Sequence, residues 1–353
     1  MKIAMLSYPL LAARMSFSGG GGTVNEMVKV ALEEAGHTVD YLTYPCSASP
    51  ADWRPKALSR FLDLAVVRAY RYAGHVNRLA AGYDLLICDS VVCYGLRHPR
   101  CINLFNFSHY GYGKYVAKLP SGLAGEVKYR LLTLLERFET RDKFNIAVSP
   151  FLAKQLAEEG LSVFRVVSNA VDTETFRPDL GVAKNDRILY AGNDDYRGKG
   201  FDLLHKLADR GVAIDCVTNQ DPGGRINHVG MVARDRLPEL FNRYRVLVYP
   251  SRFETFGLVP LEAMACGLPV VISNTGFAAE LKAEIPEFVV DGHDDAAVAE
   301  YVARFKLLRD DYAAFSRRAR QFVLEHYPLI RFNREWQSLA VDICGVKGGE
   351  RHG

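Results

Sequence analysis

The chain has 353 residues, 49% of them hydrophobic and 24% charged, with a net charge of +3. At a prior of ~150 residues per domain this is an ordinary folded protein of two domains, not a disulfide-stapled miniprotein, a collagen-like chain or a disordered one. No uncharged apolar run approaches the ~20 residues that span a bilayer, and Met1 to Leu6 enters a strand pattern without a signal-peptide n-region or h-region, so a cytoplasmic location is expected. Residues 1–170 hold 20 Lys+Arg against 14 Asp+Glu, while 171–353 hold 24 against 27. The first half is too weakly basic to argue for nucleic acid, and no helix-turn-helix, zinc-finger or RNA-binding signature supports that partner. It better suits an anionic membrane surface or an anionic acceptor. The seven scattered cysteines include no C-x-x-C pair and read as reduced thiols without assigned chemistry.

In chain order, an apolar strand at Ile3 to Tyr8 is followed by the glycine run Gly19 to Gly22, read as a loop, and a helix-period stretch from Thr23 to Ala35 that stops at Gly36. Further short apolar strands fall at Thr38 to Tyr44, Asp84 to Cys88, Cys101 to Phe107, Asn145 to Val148 and Phe164 to Val167, with helical stretches between them. One of these stretches carries Arg54, Lys56, Arg60, Arg68, Arg71 and Arg78 among apolar residues such as Val66, Val67 and Tyr70, and reads as a basic amphipathic helix. It suits either an anionic membrane surface or packing on its own domain with a solvated basic face. Residues Asn169 to Lys184 turn polar and aperiodic, as a linker would. A second alternating series follows, with strands at Arg187 to Ala191, Val212 to Val217, around His228 to Met231, Val246 to Tyr249, Pro269 to Ser273 and Phe288 to Val290. Helices are expected at Asp295 to Leu308, Tyr312 to His326 and Ile330 to Ile343, before a tail, 346–353, read as disordered. Strand and helix alternation of this kind predicts an α/β protein of two Rossmann-like, doubly wound domains, 1–170 and 171–329, with a central cleft that both face with their strand ends.

The segment Tyr249 to Pro269 reads as a strand, a polar loop and a short helix. Pro260 lies in its first turn and Gly267 at its end. The amides of Phe256, Gly257, Leu258 and Val259 would then face a phosphate at the helix start. Glu254 and Glu262, with seven residues between them, bracket that anion site as acceptors for paired sugar hydroxyls. The paired aspartates (Asp194-Asp195, Asp294-Asp295, Asp310-Asp311) are adjacent and no Asp-x-Asp triplet occurs, so no metal site is expected.

This stretch resembles the E-x(7)-E signature of glycosyltransferase family 4, the retaining nucleotide-sugar transferases of GT-B fold. The resemblance continues through Gly20-Gly21, Ser168 to Pro178, Lys199-Gly200-Phe201 and Ser273 to Gly276 with Glu280, in the family's order. It implies that Glu262 holds the ribose hydroxyls of a donor nucleotide, that Glu254 sits beside the donor sugar, and that Lys199 neutralises the leaving diphosphate. It also implies that His109 faces the donor sugar from the first domain, that Gly20 and Gly21 allow close approach of a ligand, and that backbone groups around Gly230 and Met231 recognise the base. Where the family usually carries an arginine shortly before the lysine, this chain has Asn193; Arg197 supplies that charge from a shifted position, or Lys199 and amides act alone, or catalysis is weak. The last helix, 330–345, would cross back to the first domain.

The implied reaction is transfer of a sugar from a nucleotide-diphosphate sugar, with UDP the first choice, to a saccharide, lipid-linked or small-molecule acceptor, without a cofactor. A nucleotide-sugar 2-epimerase of the same fold and a catalytically degenerate binding protein are the rivals. A dinucleotide dehydrogenase fits less well, because the glycine run is not G-x-G-x-x-G.

Overall fold

The computed structural model describes residues 1–7, 20–43, 64–107, 123–192 and 197–345. The described residues divide into two compact units, the first from 1–107, 123–168 and 332–345, the second from 169–331.

The first unit is built on a six-stranded sheet of β1 (Lys2–Ser7), β2 (Thr38–Thr43), β3 (Leu85–Asp89), β4 (Cys101–Phe105), β5 (Phe144–Ala147) and β6 (Arg165–Val166). The strands are all parallel, in the order β2-β1-β3-β4-β5-β6. β4 is buried along its whole length, as a strand covered on both faces should be, and its one polar residue, Asn103, donates to Asn145 Oδ1 at 3.2 Å. Helix α1 (Gly20–Glu34) follows β1, and α2 (Leu64–Leu79) turns Val66, Ala69, Tyr72, Ala73 and Val76 into the core against Ala4, Leu6, Leu86 and Cys88. Helices α3 (Leu123–Thr140) and α4 (Pro150–Glu158) flank β5, the latter capped by the Ser149 hydroxyl, which accepts from Leu152 N at 3.0 Å.

The second unit repeats the plan with β7 (Asn185–Ala191), β8 (Ile214–Val217), β9 (Asn227–His228), β10 (Tyr244–Tyr249), β11 (Val270–Ser273) and β12 (Val289–Val290), ordered β12-β11-β10-β7-β8-β9. Numbered from β7, this is the 3-2-1-4-5-6 order of a doubly wound sheet, with its reversal between β7 and β10. The intervening helices are α5 (Phe201–Asp209), α6 (Leu237–Asn242), α7 (Leu258–Ala265) and α8 (Ala278–Glu284), followed by α9 (Asp295–Asp310) and α10 (Tyr312–His326). Helix α11 (Leu329–Gly345) buries Phe332, Trp336, Leu339, Ala340 and Ile343, one helical stripe. From Phe332 onward it belongs with the first unit, where Gln337 Nε2 donates to Ala31 O at 2.9 Å and Arg165 pairs with Asp342 at 3.0 Å.

Two sequence readings change. Gly20 to Gly22 are not a loop but the first turn of α1, where the leading N–H groups lack helical partners in any case, so glycine costs the helix little. The polar stretch 169–184 is not a free linker. Val171 N donates to Tyr327 O at 3.1 Å, Arg320 donates to the carbonyls of Thr173 and Phe176, and Asn242 Nδ2 donates to Arg177 O at 2.9 Å, so its backbone is bound to the second unit by polar contacts that hydrophobic periodicity does not report. Of the basic stretch Arg54 to Arg78, Leu64–Leu79 is a helix as read, with its inward side packed into the core of its own unit, and Arg54, Lys56 and Arg60 lie outside the described residues.

Candidate donor site of the second unit

At the point where the strand order reverses, the ends of β7 and β10 carry the loops that hold the charged residues. After β7, the turn from Arg197 leads into Gly200 and α5. Gly200 has φ +71°, and a Cβ there would stand 2.1 Å from Pro250 O, so only glycine lets the two loops touch. Arg252 locks them together. Its backbone N–H donates to Gly198 O at 2.8 Å, and its guanidinium binds both Asp202 oxygens at 2.6 Å and Arg197 O at 3.0 Å. Burial acts to raise the Asp202 carboxyl, but the Arg252 fork overrides it and holds the group below its usual range.

This clamp presents Lys199, whose ammonium donates to Glu254 Oε1 and, at 3.2 Å, to the Tyr249 hydroxyl. The Tyr249 ring lies 5.3 Å from that ammonium and stacks on Tyr190 with centroids 5.9 Å apart. Burial pushes the Tyr249 hydroxyl well above its ordinary pKa, and the negative charges of Glu254 and Glu262 push it the same way. Tyr249 is therefore a neutral phenol beside Glu254, able to donate a hydrogen bond but not to lose its proton.

Helix α7 begins at Gly257, φ +103°, and Gly276, φ +65°, lets the following loop approach so that Phe277 N donates to Phe256 O at 3.1 Å. Phe256 and Leu258 are buried and Val259 is half-buried, with the amides of the first turn at the helix start. Pro260 is the third helical residue, and Gly267, φ +69°, ends the helix with its N–H on Met264 O. Glu262 is buried inside α7; one carboxylate oxygen accepts from Arg234 Nη2 and the other has no hydrogen-bond partner. Burial raises its pKa and Arg234 works against that. Behind the loop, His293 Nε2 lies 3.2 Å from Pro250 O and 3.1 Å from the Ser273 hydroxyl, and burial together with the nearby Arg252 lowers its pKa.

Of the residues singled out from sequence, Lys199 and Glu254 are in contact, and Glu262 stands on the same loop-and-helix segment. Arg197 is exposed, with its carbonyl held by Arg252. Gly230, φ +86°, and the exposed Met231 follow β9. In the first unit Gly20 and Gly21 open α1, and a Cβ on Gly21 would meet Asp89 and Asn106 at an ordinary 3.7 Å, so packing does not require glycine there. His109, Asn193, Gly19, Arg54, Lys56, Arg60 and the tail 346–353 lie outside the described residues. Sequence reading missed Tyr249, Arg252 with Asp202, His293 and Arg234. The first looks like any strand residue, and the charged ones look like solvated loop residues until their partners are known. Among the described residues one group of metal-ligand type comes together, the exposed Glu284, Glu325 and His326 on α8 and α10, apart from these loops.

Two parallel doubly wound sheets, the second with charged residues at its reversal point, define the GT-B class of architecture. Residues 18–175 match Glycosyltransferase Family 4 and residues 214–322 match Glycosyl transferases group 1. The chain belongs to the family 4 glycosyltransferases of GT-B fold. It is 37% identical over 116 residues to O-antigen chain mannosyltransferase B of Escherichia coli, a match covering 33% of this chain and 27% of that protein. Its fold resembles that of sucrose-phosphate synthase from Thermosynechococcus elongatus, with a TM-score of 0.77 at 17% identity over 97% of this chain and 99% of that one. It also resembles HepE of Anabaena, solved in complex with UDP and glucose, with a TM-score of 0.66 at 17% identity over 98% and 100% of the two chains. The chain spans between about a fifth and about half the length of the curated relatives it matches.

Proposed function

We propose that the protein is a retaining, metal-independent glycosyltransferase that moves a sugar from a nucleotide-diphosphate sugar to an acceptor hydroxyl in the synthesis of a cell-surface polysaccharide, glycolipid or glycosylated metabolite. The observation that carries this reading is the Lys199–Glu254 pair at the reversal point of the second sheet. An ammonium held there by a clamped loop is placed to receive the negative charge that a diphosphate gains as the sugar bond breaks, the work a magnesium ion does in other transferases. The amides at the start of α7 would meet the distal phosphate, Glu262 the ribose, and Glu254 the sugar, with its carboxylate steadying positive charge on the ring. Acceptor binding falls to the first unit in this reading. UDP-sugars are the donors to try first, in line with the UDP complex of HepE.

The test is incubation with UDP-, GDP- and ADP-sugars, with and without a panel of acceptors and with and without a chelator. Acceptor-dependent nucleotide release that survives chelation, with the donor's anomeric configuration kept in the product, is the expected result. Conversion of the donor to its 2-epimer without an acceptor would favour the epimerase; no turnover of any donor would favour a binding protein.

A second part of the reading concerns the acceptor's location. No helix among the described residues is long and apolar enough to cross a membrane. Peripheral contact is best supported on α3, whose Val127, Leu131, Leu134 and Phe138 are exposed at helical spacing. Arg130, Arg137 and Arg141 flank that stripe, Arg130 pairing with Glu126 at 3.2 Å and Arg141 with Asp142 at 3.5 Å, and Arg141 lies 4.0 Å from the centre of the Phe138 ring. An apolar stripe beside a row of arginines matches an anionic lipid surface and opposes a second copy of itself, whose arginines would face these. Contact through Arg54 to Arg78 would add the basic side of α2.

A further inference from the structure

Glu262 poses a physical problem that the fold alone does not solve. Its side chain is 1% exposed, yet one oxygen of its carboxylate is buried without any hydrogen-bond partner. Such an acceptor is costly to leave unsatisfied, and native proteins leave few of them. Its other oxygen accepts from Arg234, which comes from the short 3-10 turn Arg234–Arg236 beyond the Gly230 loop. Arg234 is 42% exposed on the far side of the pair, and its guanidinium rests 5.6 Å from the buried ring of Phe176, itself 6.3 Å from Phe241. The arginine is thus held from below by an aromatic ring and from the side by the carboxylate. A guanidinium has five N–H donors, of which the Glu262 contact uses one.

We propose that Arg234 is a positioning residue for the donor nucleotide. It fixes one oxygen of Glu262, so that the orphaned oxygen is aimed at the paired hydroxyls of a ribose, and offers its outward N–H groups to the same nucleotide. This rests on the donor-site reading of Glu262 and adds a residue to it. Burial raises the Glu262 carboxyl pKa, and the adjacent Arg234 charge works against that rise. Without Arg234 the carboxyl would take up its proton at a higher pH, so nucleotide affinity would begin to fall at a higher pH on acidification.

The test is calorimetric titration of the full-length chain with UDP, GDP and ADP from pH 5.5 to pH 9, using wild type, Arg234→Ala, Arg234→Lys and Glu262→Gln. Arg234→Ala should weaken binding of the preferred nucleotide about tenfold or more at neutral pH, the scale of one charge-assisted hydrogen bond. Its affinity should also decline on acidification from a higher pH than wild type, and Arg234→Lys, which keeps the charge, should recover part of the loss and restore the profile. The double variant Arg234→Ala with Glu262→Gln should lose little beyond the single ones, because the two act as a unit. Unchanged affinity in Arg234→Ala with a clear loss in Glu262→Gln would overturn the role of Arg234 and leave the donor site standing. Tighter binding would overturn it too, showing that Arg234 competes with ribose for Glu262. Failure of wild type to bind all three nucleotides would sink the donor-site reading and this inference with it. Melting curves of each variant separate loss of binding from loss of fold, with Arg234→Lys as the variant that keeps the ion pair.

Discussion

Lys199 and Glu254, fifty-five residues apart in sequence, form an ion pair in which each side chain is only 15% exposed. A shielded pair is screened little by salt, so the charge of Lys199 is neutralised until a ligand of stronger negative charge enters and draws the ammonium away. A leaving diphosphate is such a ligand, and its demand for the ammonium grows as the sugar bond lengthens.

Replacing Lys199 by alanine should therefore lower kcat by about 100-fold or more and change the nucleotide Kd less, because the interaction strengthens in the transition state. Steady-state kinetics beside UDP titration checks it. Near-normal kcat would move the leaving-group role to another cation, with Arg197 the next candidate.

Glu254→Gln keeps the shape of the side chain and its hydrogen bond to Lys199 while removing the charge. If the carboxylate steadies a cationic sugar, kcat falls while UDP affinity holds; if it only accepts sugar hydroxyl bonds, both parameters for the donor change modestly. We expect the first pattern. Glu262→Ala should instead act mainly on KM, since ribose contacts are the same in ground and transition states.

Most strands were legible as short runs rich in apolar residues, though β6 (Arg165–Val166) and β9 (Asn227–His228) are not such runs, and the E-x(7)-E segment was legible because its proline, glycines and glutamates are local to one stretch of chain. What stayed hidden depends on contacts between distant segments. Nothing in Arg252 announces the bidentate hold on Asp202, fifty residues away, and nothing in Tyr249 announces a hydroxyl beside the Lys199–Glu254 pair. The glycine run misled for a related reason: four glycines look like a loop by propensity, but for the three in the first turn of α1 the cost of glycine is small.

Gly200 is the point where the two loops can be uncoupled. A Cβ there meets Pro250 O at 2.1 Å in a left-handed backbone, so Gly200→Ala should cost more than about 2 kcal/mol and displace Lys199. Thermal melting should show the loss of stability. Kinetics should show a fall in kcat larger than that of a comparably destabilised core variant such as Val248→Ala, and equal falls would mean that the loop contact does not position the lysine.

His293 gives the second unit a pH dependence. Its folded pKa lies below the ordinary 6.5, so the unfolded chain binds a proton that the folded one refuses. The stability this neutral imidazole contributes is full above about pH 6.5 and is lost as pH falls below that value toward the folded pKa. The melting temperature should drop over this window in wild type and drop less in His293→Gln, which keeps a polar side chain near Pro250 O and Ser273 but does not titrate. Parallel curves for the two proteins would show that other groups set the acid limit.

The exposed stripe on α3 predicts a separable membrane function. Leu131→Ser with Phe138→Ser removes apolar area that would enter the headgroup region, while Arg130→Gln with Arg137→Gln removes attraction worth about 1 kcal/mol per charge near an anionic surface. Co-sedimentation with vesicles rich in phosphatidylglycerol should fall in both pairs, and only the charge pair should lose its salt dependence. Neither change touches the second sheet, so transfer to a soluble acceptor should persist at wild-type rate. If wild type sediments equally with neutral phosphatidylcholine vesicles, or with neither, the arginine row has no lipid partner; if it elutes as a dimer that the serine pair dissociates, the stripe is an interface between copies of this chain instead.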